Sequence, residues 1–174
     1  MPLSTAPPLE LKSALTAPLL AQARELMIEL MRWDSAQVSA LGLDAALAES
    51  FYYGKDDLVL PGDFSPPDGL LLVAMSGNEA AGCGGITAMS PGICELKRLY
   101  VREAFRGNQL GIRIVRALLD AAAGMNYRVM RLETVTFMRT AIALYRGLGF
   151  QPCDPYYEIP DSFRPITVFM DRQL

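Results

Sequence analysis

The clearest chemical signal in the sequence is a short loop that carries an arginine and two glycines and leads into a predicted helix. Arg106, Gly107 and Gly111 follow a predicted strand, Ile93–Val101. The first turn of a helix leaves several N–H groups without partners, and the helix dipole is positive there. Glycines let the backbone close around an anion, and an arginine adds a charge-assisted contact. The loop therefore indicates a pyrophosphate site, although a turn residue and a close-packing residue explain the two glycines equally well.

A second segment of chemical interest is Ala-Ile-Ala-Leu-Tyr-Arg-Gly-Leu-Gly-Phe at residues 141–150. Its larger aliphatic side chains are expected in the core. Tyr145 has two explanations. It could bury its ring and hydrogen-bond through its hydroxyl, as tyrosines commonly do, or it could present the hydroxyl to a reaction.

The residue types that the chain lacks restrict the available chemistry. There is no histidine, which excludes Ser–His and Cys–His catalysis and removes the commonest metal ligand. Cys83, Cys94 and Cys153 are odd in number and widely spaced, unlike a disulfide framework or a zinc site. We therefore expect reduced, mostly buried thiols and no metal, with a nucleophilic cysteine as the less favoured alternative. Acid–base chemistry must use carboxylates, tyrosine, thiol or water.

Length and composition describe the kind of protein that must hold these groups. The 174 residues fit a single domain spanning residues 1–174, and the 51% hydrophobic content is enough for a sizeable core. A formal net charge of -3 argues against a generally basic surface for nucleic acids or membranes. We recognise no signal peptide and no run of about 20 apolar residues that could span a bilayer, so a cytoplasmic location is the default expectation.

The first third of the chain is predicted to be mainly helical. We expect a loose start over residues 1–8, a short strand at Leu9–Leu15, and a helix that Thr16 caps. The apolar face of that helix repeats at helical spacing. Ser35 is predicted to cap a second helix that runs to about Ser50. Residues 52–69 are rich in proline and glycine and are predicted to form a loop.

The rest of the chain alternates between predicted strands and helices. Strands are expected at Leu70–Met75, Ala80–Met89, Ile93–Val101, Arg128–Val135, Phe150–Cys153 and Ile166–Met170, and helices at Asn108–Met125 and Ala141–Leu148. Turn signals join the first three of these strands as antiparallel hairpins. The long helix that connects Ile93–Val101 to Arg128–Val135 makes those two strands parallel neighbours. The expected fold class is α/β (α+β), a mixed, mostly antiparallel central sheet with helices on both faces.

Taken together, in this order and at this spacing, the two segments resemble the GCN5-related N-acetyltransferase (GNAT) family. Arg-Gly-Asn-Gln-Leu-Gly matches the family's phosphate loop, Arg/Gln-x-x-Gly-x-Gly/Ala, and Ala-x-x-Leu-Tyr-x-x-Leu-Gly-Phe matches its second signature. The upstream Cys-Glu-Leu-Lys-Arg-Leu-Tyr-Val matches the strand before the loop. The resemblance covers about Leu70 to the C-terminus. Two positions differ, because Gln109 replaces the middle glycine of the loop and Met138 stands where many members carry an asparagine that contacts the cofactor.

The resemblance implies transfer of an acetyl group from acetyl-CoA to a small-molecule or peptide amine, by direct attack and without an acyl-enzyme. It implies that Glu95 is the first candidate for the base and Glu133 the second, although either glutamate could instead pair with an Arg or Lys. Tyr145 would protonate the departing thiolate. The implied cofactor-binding residues are Leu99, Tyr100, Val101, Arg106, Gly107, Asn108, Gln109, Leu110 and Gly111. The parallel strands should splay apart to admit the pantetheine arm.

The acceptor and two other classes of function stay open. Tyr52, Tyr53, Tyr156 and Tyr157 could contact an acceptor, although packing is the commoner role of loop aromatics. A non-catalytic acyl-CoA-binding or sensing module would use the same loop. A nucleotide-binding regulatory domain is less favoured, because the chain lacks a Gly-x-Gly-x-x-Gly pattern and a preceding parallel unit. We expect no nucleic-acid or membrane partner, and a homodimer is compatible with the sequence.

Overall fold

A computed structural model describes residues 7–54 and 59–174 of the chain. Its helices are α1 (Ala17–Ala40), α2 (Ala45–Tyr52), α3 (Leu110–Gly124) and α4 (Arg139–Gly147), with 3-10 turns at Gly62–Phe64 and Glu103–Phe105. Its strands are β1 (Leu9–Ser13), β2 (Leu70–Ser76), β3 (Glu79–Ser90), β4 (Ile93–Val101), β5 (Val129–Val135), β6 (Gln151–Pro152) and β7 (Thr167–Gln173). In the described part of the chain these strands form one sheet in the order β1-β2-β3-β4-β5-β7-β6.

The sheet is mixed and mostly antiparallel, as expected from the sequence. Only β4 and β5 pair in parallel. Two hairpins join β2 to β3 and β3 to β4, and α3 then carries the chain back so that β5 runs in the same direction as β4. A parallel neighbour requires such a crossover, because a tight turn can only reverse the chain.

The two faces of the sheet are covered by different helices. Alternate residues of β2 point to opposite faces of the sheet. Leu72 packs on one face, in the cluster that α3 and α4 complete, and Leu71 and Val73 pack on the other, in the cluster that α1 completes. Side chains alternate between faces along a strand, so a continuous apolar run such as β2 must be covered on both sides. This arrangement confirms the prediction of helices on both faces.

The prediction for the second helix was wrong. Ser35 lies inside α1, which continues to Ala40, and its hydroxyl donates to Glu49 of α2 at 2.5 Å. Gly42 takes a left-handed backbone conformation just after α1, as is common where helices end. Asp44 caps α2 by accepting from the Leu47 amide at 3.0 Å. Gly42 and Asp44 were therefore the real stop and start signals in this segment.

The other boundaries agree with the expectations within a few residues. α3 and β5 lie inside their predicted ranges, and α4 begins two residues earlier than predicted. Tyr52 belongs to α2 rather than to the predicted loop over residues 52–69. The predicted loose start includes residues 1–6, and the predicted loop over residues 52–69 includes residues 55–58, which lie outside the described residues.

Candidate active site

The strands β4 and β5 separate partway along their length. Their pairing ends at Leu96 and Leu132, although β4 continues to Val101 and β5 to Val135. Beyond that point β4 contains a bulge against β3, with Arg98 at φ 59°. The predicted separation of the parallel strands is therefore present, and a cavity opens on each side of it.

The first cavity, called here the cofactor cavity, measures about 530 Å³ and lies between the end of β4 and the starts of α3 and α4. Eight of the nine residues predicted to bind the cofactor line it: Leu99, Tyr100, Val101, Arg106, Gly107, Gln109, Leu110 and Gly111. Asn108, the ninth, is not among the lining residues. Trp33 of α1 also lines the cavity and was not predicted from the sequence.

The loop at the entrance of α3 contains two residues in the left-handed backbone conformation. Gly107 has φ 81° and Gln109, the N-cap of α3, has φ 56°. These left-handed residues turn the chain so that the first amides of α3 face the loop, where helix geometry leaves them without intrahelical acceptors. The Nε atom of Arg106 donates to the Val101 carbonyl at 3.0 Å, which fixes the base of the guanidinium beside the cavity.

Gly111 has a packing role in the same loop. A Cβ atom at Gly111 would approach Leu144 Cδ1 of α4 to 3.0 Å, which is closer than ordinary van der Waals contact. The first turn of α3 therefore lies directly against α4. The turn and close-packing roles that the sequence offered for the two glycines are therefore present, with Gly107 as the turn residue and Gly111 as the close-packing residue, while the pyrophosphate site stays a prediction.

The second cavity, called here the acceptor cavity, measures about 490 Å³ and lies between α1, α2, β4 and β5. It brings together the three residues predicted to be catalytic, because Glu95, Glu133 and Tyr145 all line it. Tyr52, Tyr53 and Tyr157 are among its walls as well. Leu30, Leu99, Phe137 and Met138 line both this cavity and the cofactor cavity, so the two cavities adjoin at these side chains.

Glu95 on β4 is held by two partners. Its side chain accepts a hydrogen bond from the Tyr156 hydroxyl at 2.9 Å and forms an ion pair with Lys97 at 3.4 Å. The residue is 8% exposed. The pairing with a lysine that the sequence left open as an alternative to catalysis is therefore present, while the carboxylate still lines the acceptor cavity.

Glu133 on β5 accepts a hydrogen bond from the hydroxyl of Tyr157. Burial raises the pKa of its carboxyl from the usual range to about 7, with the charge of Glu95 adding to the effect and the Tyr157 hydrogen bond opposing it. A carboxyl group with a pKa near neutrality can exchange a proton at physiological pH.

Tyr145 on α4 is almost fully buried, with its ring 5.8 Å from that of Phe150 in an edge-on arrangement. Burial raises the pKa of its phenol, so the hydroxyl keeps its proton at neutral pH. The ring is part of the core, and the residue also lines the acceptor cavity. The packing role of Tyr145 is thus present, and its role as an acid stays a prediction.

The cysteines are placed away from the site. Cys83 and Cys94 are fully buried, and burial raises the pKa of each thiol to about 12. Neither these two nor Cys153 lines the acceptor or the cofactor cavity. A thiol needs to ionise and to reach its substrate in order to act as a nucleophile.

Sequence reasoning missed two sets of functional candidates. The first is the group of α1 and β5–α4 side chains that line the cavities, Leu30, Trp33 and Phe137. The second is the role of Tyr156 and Tyr157. The sequence suggested them as acceptor contacts, whereas their hydroxyls donate hydrogen bonds to Glu95 and Glu133. The helical periodicity of α1 marks Leu30 as a core residue, but no local signal connects a tyrosine to a glutamate 61 residues away.

Over 7–54 and 59–174, no three His, Cys, Asp or Glu side chains come together in a way that could hold a metal ion. In the same ranges no helix is both long and apolar enough to cross a membrane.

The chain matches the model of the Acetyltransferase (GNAT) family over residues 23–150. An uncharacterized N-acetyltransferase of Schizosaccharomyces pombe is 37% identical over 128 residues, which are 72% of this chain and 77% of that protein. An IAA acetyltransferase of Azospirillum brasilense is 33% identical over 133 residues, 76% of this chain and 86% of that protein. A crystal structure of PaiA N-acetyltransferase from Thermoplasma acidophilum in complex with coenzyme A shares the fold with a TM-score of 0.73 at 17% identity, over 96% of this chain and 99% of that one. With the family signatures, the separated parallel strands and these relatives in agreement, the chain is an acetyltransferase that belongs to the GNAT family.

Proposed function

We propose that the protein transfers an acetyl group from acetyl-CoA to a primary amine by direct attack within a ternary complex. One observation carries the proposal: the cofactor and acceptor cavities adjoin where β4 and β5 separate. Two substrates bound on opposite sides of this junction would hold their reacting atoms next to each other, which lowers the barrier by removing the cost of a bimolecular encounter. The acceptor is proposed to be a small-molecule or peptide amine.

In the proposed complex the loop at the start of α3 binds the phosphates. The amides of its first turn and the Arg106 guanidinium supply hydrogen-bond donors, and the helix dipole favours the negative charge. The backbone of Leu99 and Tyr100, which no longer pairs with β5, is proposed to bind the pantetheine arm and the thioester carbonyl together with the Val101 amide, since the Val101 carbonyl already accepts from Arg106.

Glu133 is proposed as the base and Glu95 as the alternative. The raised pKa of Glu133 favours it, because a base works best when its pKa lies near the operating pH. Both oxygens of the Glu95 side chain already have partners, since the carboxylate forms an ion pair with Lys97 and accepts a hydrogen bond from Tyr156. Glu133 would take the proton of the attacking amine, directly or through water.

Tyr145 is proposed as the acid. The amine nitrogen forms a bond to the thioester carbon, the carbon–sulfur bond then breaks, and the sulfur takes its proton from the Tyr145 hydroxyl. The products are the amide and the free thiol of CoA. The positions of the cysteines support direct attack, since none of the three lines either cavity.

The test is a screen of amines with acetyl-CoA, with release of CoA thiol as the readout. We expect intersecting lines in double-reciprocal plots when both substrates are varied, as a ternary complex requires, and no acetylated protein by mass spectrometry. Parallel lines with an acetyl-enzyme would contradict direct attack. CoA binding without turnover of any amine would favour a non-catalytic acyl-CoA-binding module instead.

The phosphate loop is tested by a single substitution. Arg106→Ala should weaken CoA binding by about 1–3 kcal/mol, the usual range for a lost hydrogen bond to a charged group. Calorimetric titration with CoA measures the change. Arg116→Ala, which removes a similar charge from a position of α3 that lines neither cavity, is the control. Equal affinities in both variants would mean that the phosphates bind elsewhere.

A further inference from the structure

We propose that Met138 limits the length of the acyl group that the protein accepts, so that acetyl is selected over longer acyl chains. The inference rests on the proposed function, because it concerns the acyl donor of that reaction. Met138 stands at the N-terminus of α4, where it is the N-cap residue.

The position of the acyl group follows from the arrangement of the two cavities. Its carbonyl carbon must be attached to a donor in the cofactor cavity and must be reachable by an amine in the acceptor cavity. Of the described residues, Leu30, Leu99, Phe137 and Met138 line both cavities. The acyl group therefore lies among these four side chains. All four are apolar, which suits a short hydrocarbon acyl group and offers no hydrogen bond to a polar one.

Met138 is a fixed wall of this junction. Its backbone N–H donates to the Val135 carbonyl at 2.9 Å, and its own carbonyl accepts from the Ile142 amide at 3.0 Å. Its sulfur accepts from the hydroxyl of Thr134, a buried β5 residue, at 3.6 Å. A methionine usually adapts to what it contacts because its side chain has three rotatable bonds. Here the main chain and the sulfur are both held.

The neighbouring wall is supported as well. The Phe137 ring lies 5.9 Å from the ring of Trp33 on α1. Leu30, one turn before Trp33 on the same helix, is buried. Leu99 packs against the core cluster beneath α3. With Phe137, Leu30 and Leu99 supported in this way, a longer acyl chain has to displace Met138 in order to enter the junction.

The consequence is a preference that direct binding can measure. A butyryl group has two methylenes more than acetyl, and one methylene in an apolar pocket changes selectivity by roughly 10–200-fold. We expect the protein to bind acetyl-CoA at least about 10-fold more tightly than butyryl-CoA. Met138→Ala, which empties the space beside the acyl group, should reduce that ratio by about 10-fold. Met138→Leu, which has a similar volume, should preserve it.

The experiment needs no amine acceptor. Trp33 is the single tryptophan of the chain and lines the cofactor cavity, so its fluorescence can report binding. Titrations with CoA, acetyl-CoA, propionyl-CoA and butyryl-CoA would be made on the unaltered protein and on both variants, with thermal denaturation as the check on folding. CoA itself carries no acyl group, so its affinity in each protein is the reference against which the acyl-CoA affinities of that protein are compared.

Two results would overturn the proposal. The first is equal affinity of the unaltered protein for acetyl-CoA and butyryl-CoA, a measurement that does not depend on any variant folding. The second is an unchanged ratio in folded Met138→Ala. Failure of the proposed function would look different, because the unaltered protein would then bind none of the four compounds or would bind them without transferring the acyl group to any amine.

Discussion

At the scale of single residues, Glu95 and Glu133 differ in what surrounds their carboxylates. Both are held by a tyrosine hydroxyl from the same loop, and Glu95 also forms an ion pair with Lys97. Two carboxylates close together do not ionise independently, because the charge of one opposes the ionisation of the other. The raised pKa of Glu133 follows from burial first and from the charge of Glu95 second.

Glu133 should set the pH dependence of catalysis. A base must be unprotonated in order to accept a proton, so kcat should rise as the pH passes through about 7, where this carboxyl ionises. Glu133→Gln should lower kcat by about 10²–10⁴-fold, the usual contribution of acid–base catalysis, and should remove the rise. Initial rates between pH 5.5 and 9 measure this, with Glu95→Gln as the matched control. If Glu95→Gln alone abolishes the rise, Glu95 is the base.

The same group should make stability depend on pH. The native carboxyl of Glu133 keeps its proton up to about pH 7, whereas in the unfolded chain it ionises near its ordinary pKa. Between these values the native state binds more protons, so the contribution of Glu133 to stability falls as the pH rises. The glutamine of Glu133→Gln cannot ionise. The free energy of unfolding of this variant, compared with that of the unaltered protein, should therefore increase as the pH is raised from 5 to 8. Urea denaturation at both values tests it, and a constant difference would contradict the raised pKa.

Tyr145 can be tested by removing a single oxygen atom. Tyr145→Phe keeps the ring that packs against Phe150, so thermal stability and CoA affinity should hardly change. If the phenol protonates the thiolate, kcat should fall by about 10²–10⁴-fold. Steady-state turnover with a confirmed amine measures the effect. Phe150→Leu, which disturbs the packing but keeps the hydroxyl, is the control. Full activity of Tyr145→Phe would leave Tyr145 a packing residue.

At the scale of elements, the start of α3, which is proposed to bind phosphate, has a backbone conformation that its N-cap residue does not favour. Gln109 takes φ 56° at the N-cap, in the left-handed region. For a residue other than glycine this conformation costs about 1–2 kcal/mol, because Cβ comes close to the backbone carbonyl oxygen. The family's phosphate loop has glycine at this position. The residue at which this sequence differs from the family is therefore the one that takes the left-handed conformation.

Gln109→Gly should therefore stabilise the protein. Relief of the left-handed strain exceeds the extra entropy of glycine in the unfolded chain, which leaves a net gain of up to about 1 kcal/mol. Chemical denaturation measures it, with Gln109→Ala as the control that keeps the strain. CoA affinity should stay the same or increase, because a glycine amide can approach a phosphate more closely. Destabilisation by Gln109→Gly would show that the glutamine side chain has a structural role of its own.

At the scale of the whole molecule, the fold depends on how closely the residues on the two faces of the sheet pack against β3. A Cβ atom at Gly84 would lie 2.8 Å from Ile114 of α3, and one at Gly85 would lie 2.6 Å from the ring of the buried Phe64 and 2.8 Å from the Leu70 carbonyl oxygen. The glycines of β3 thus permit the contacts that hold the two layers at their observed separation, and they do so at the strand next to the site.

Gly85→Ala should destabilise the protein by about 1–3 kcal/mol, because an added methyl group would overpack this layer. Gly124→Ala is the matched control: the same change at the end of α3 meets no atom within 4 Å. It should be neutral or stabilising by up to about 1 kcal/mol, since alanine favours helix. Thermal denaturation of both variants compares them. Equal effects would mean that Phe64 moves aside without cost.

The sequence alone determined the elements and the loop that precedes α3, because both depend on neighbouring residues. Apolar periods of two and 3.6 are local, and β4 occupies the predicted range, Ile93–Val101. The proposed phosphate site is also local, since residues 106–111 form one loop that turns into a helix. The error at Ser35 was local too, because the glycine at position 42 and the aspartate at position 44 carried a stronger signal for the helix boundary.

Only the tertiary structure decided how the acceptor cavity is built. Its walls come from α1, α2, β4, β5 and the segment around Tyr157, which are far apart along the chain. Tyr156 and Glu95 meet across 61 residues, and Tyr157 and Glu133 across 24. Such contacts depend on how layers pack and not on the conformational preference of any short segment. The pKa of Glu133 and the junction at Met138 arise from the same packing, since burial and shared cavity walls exist only once the layers are assembled.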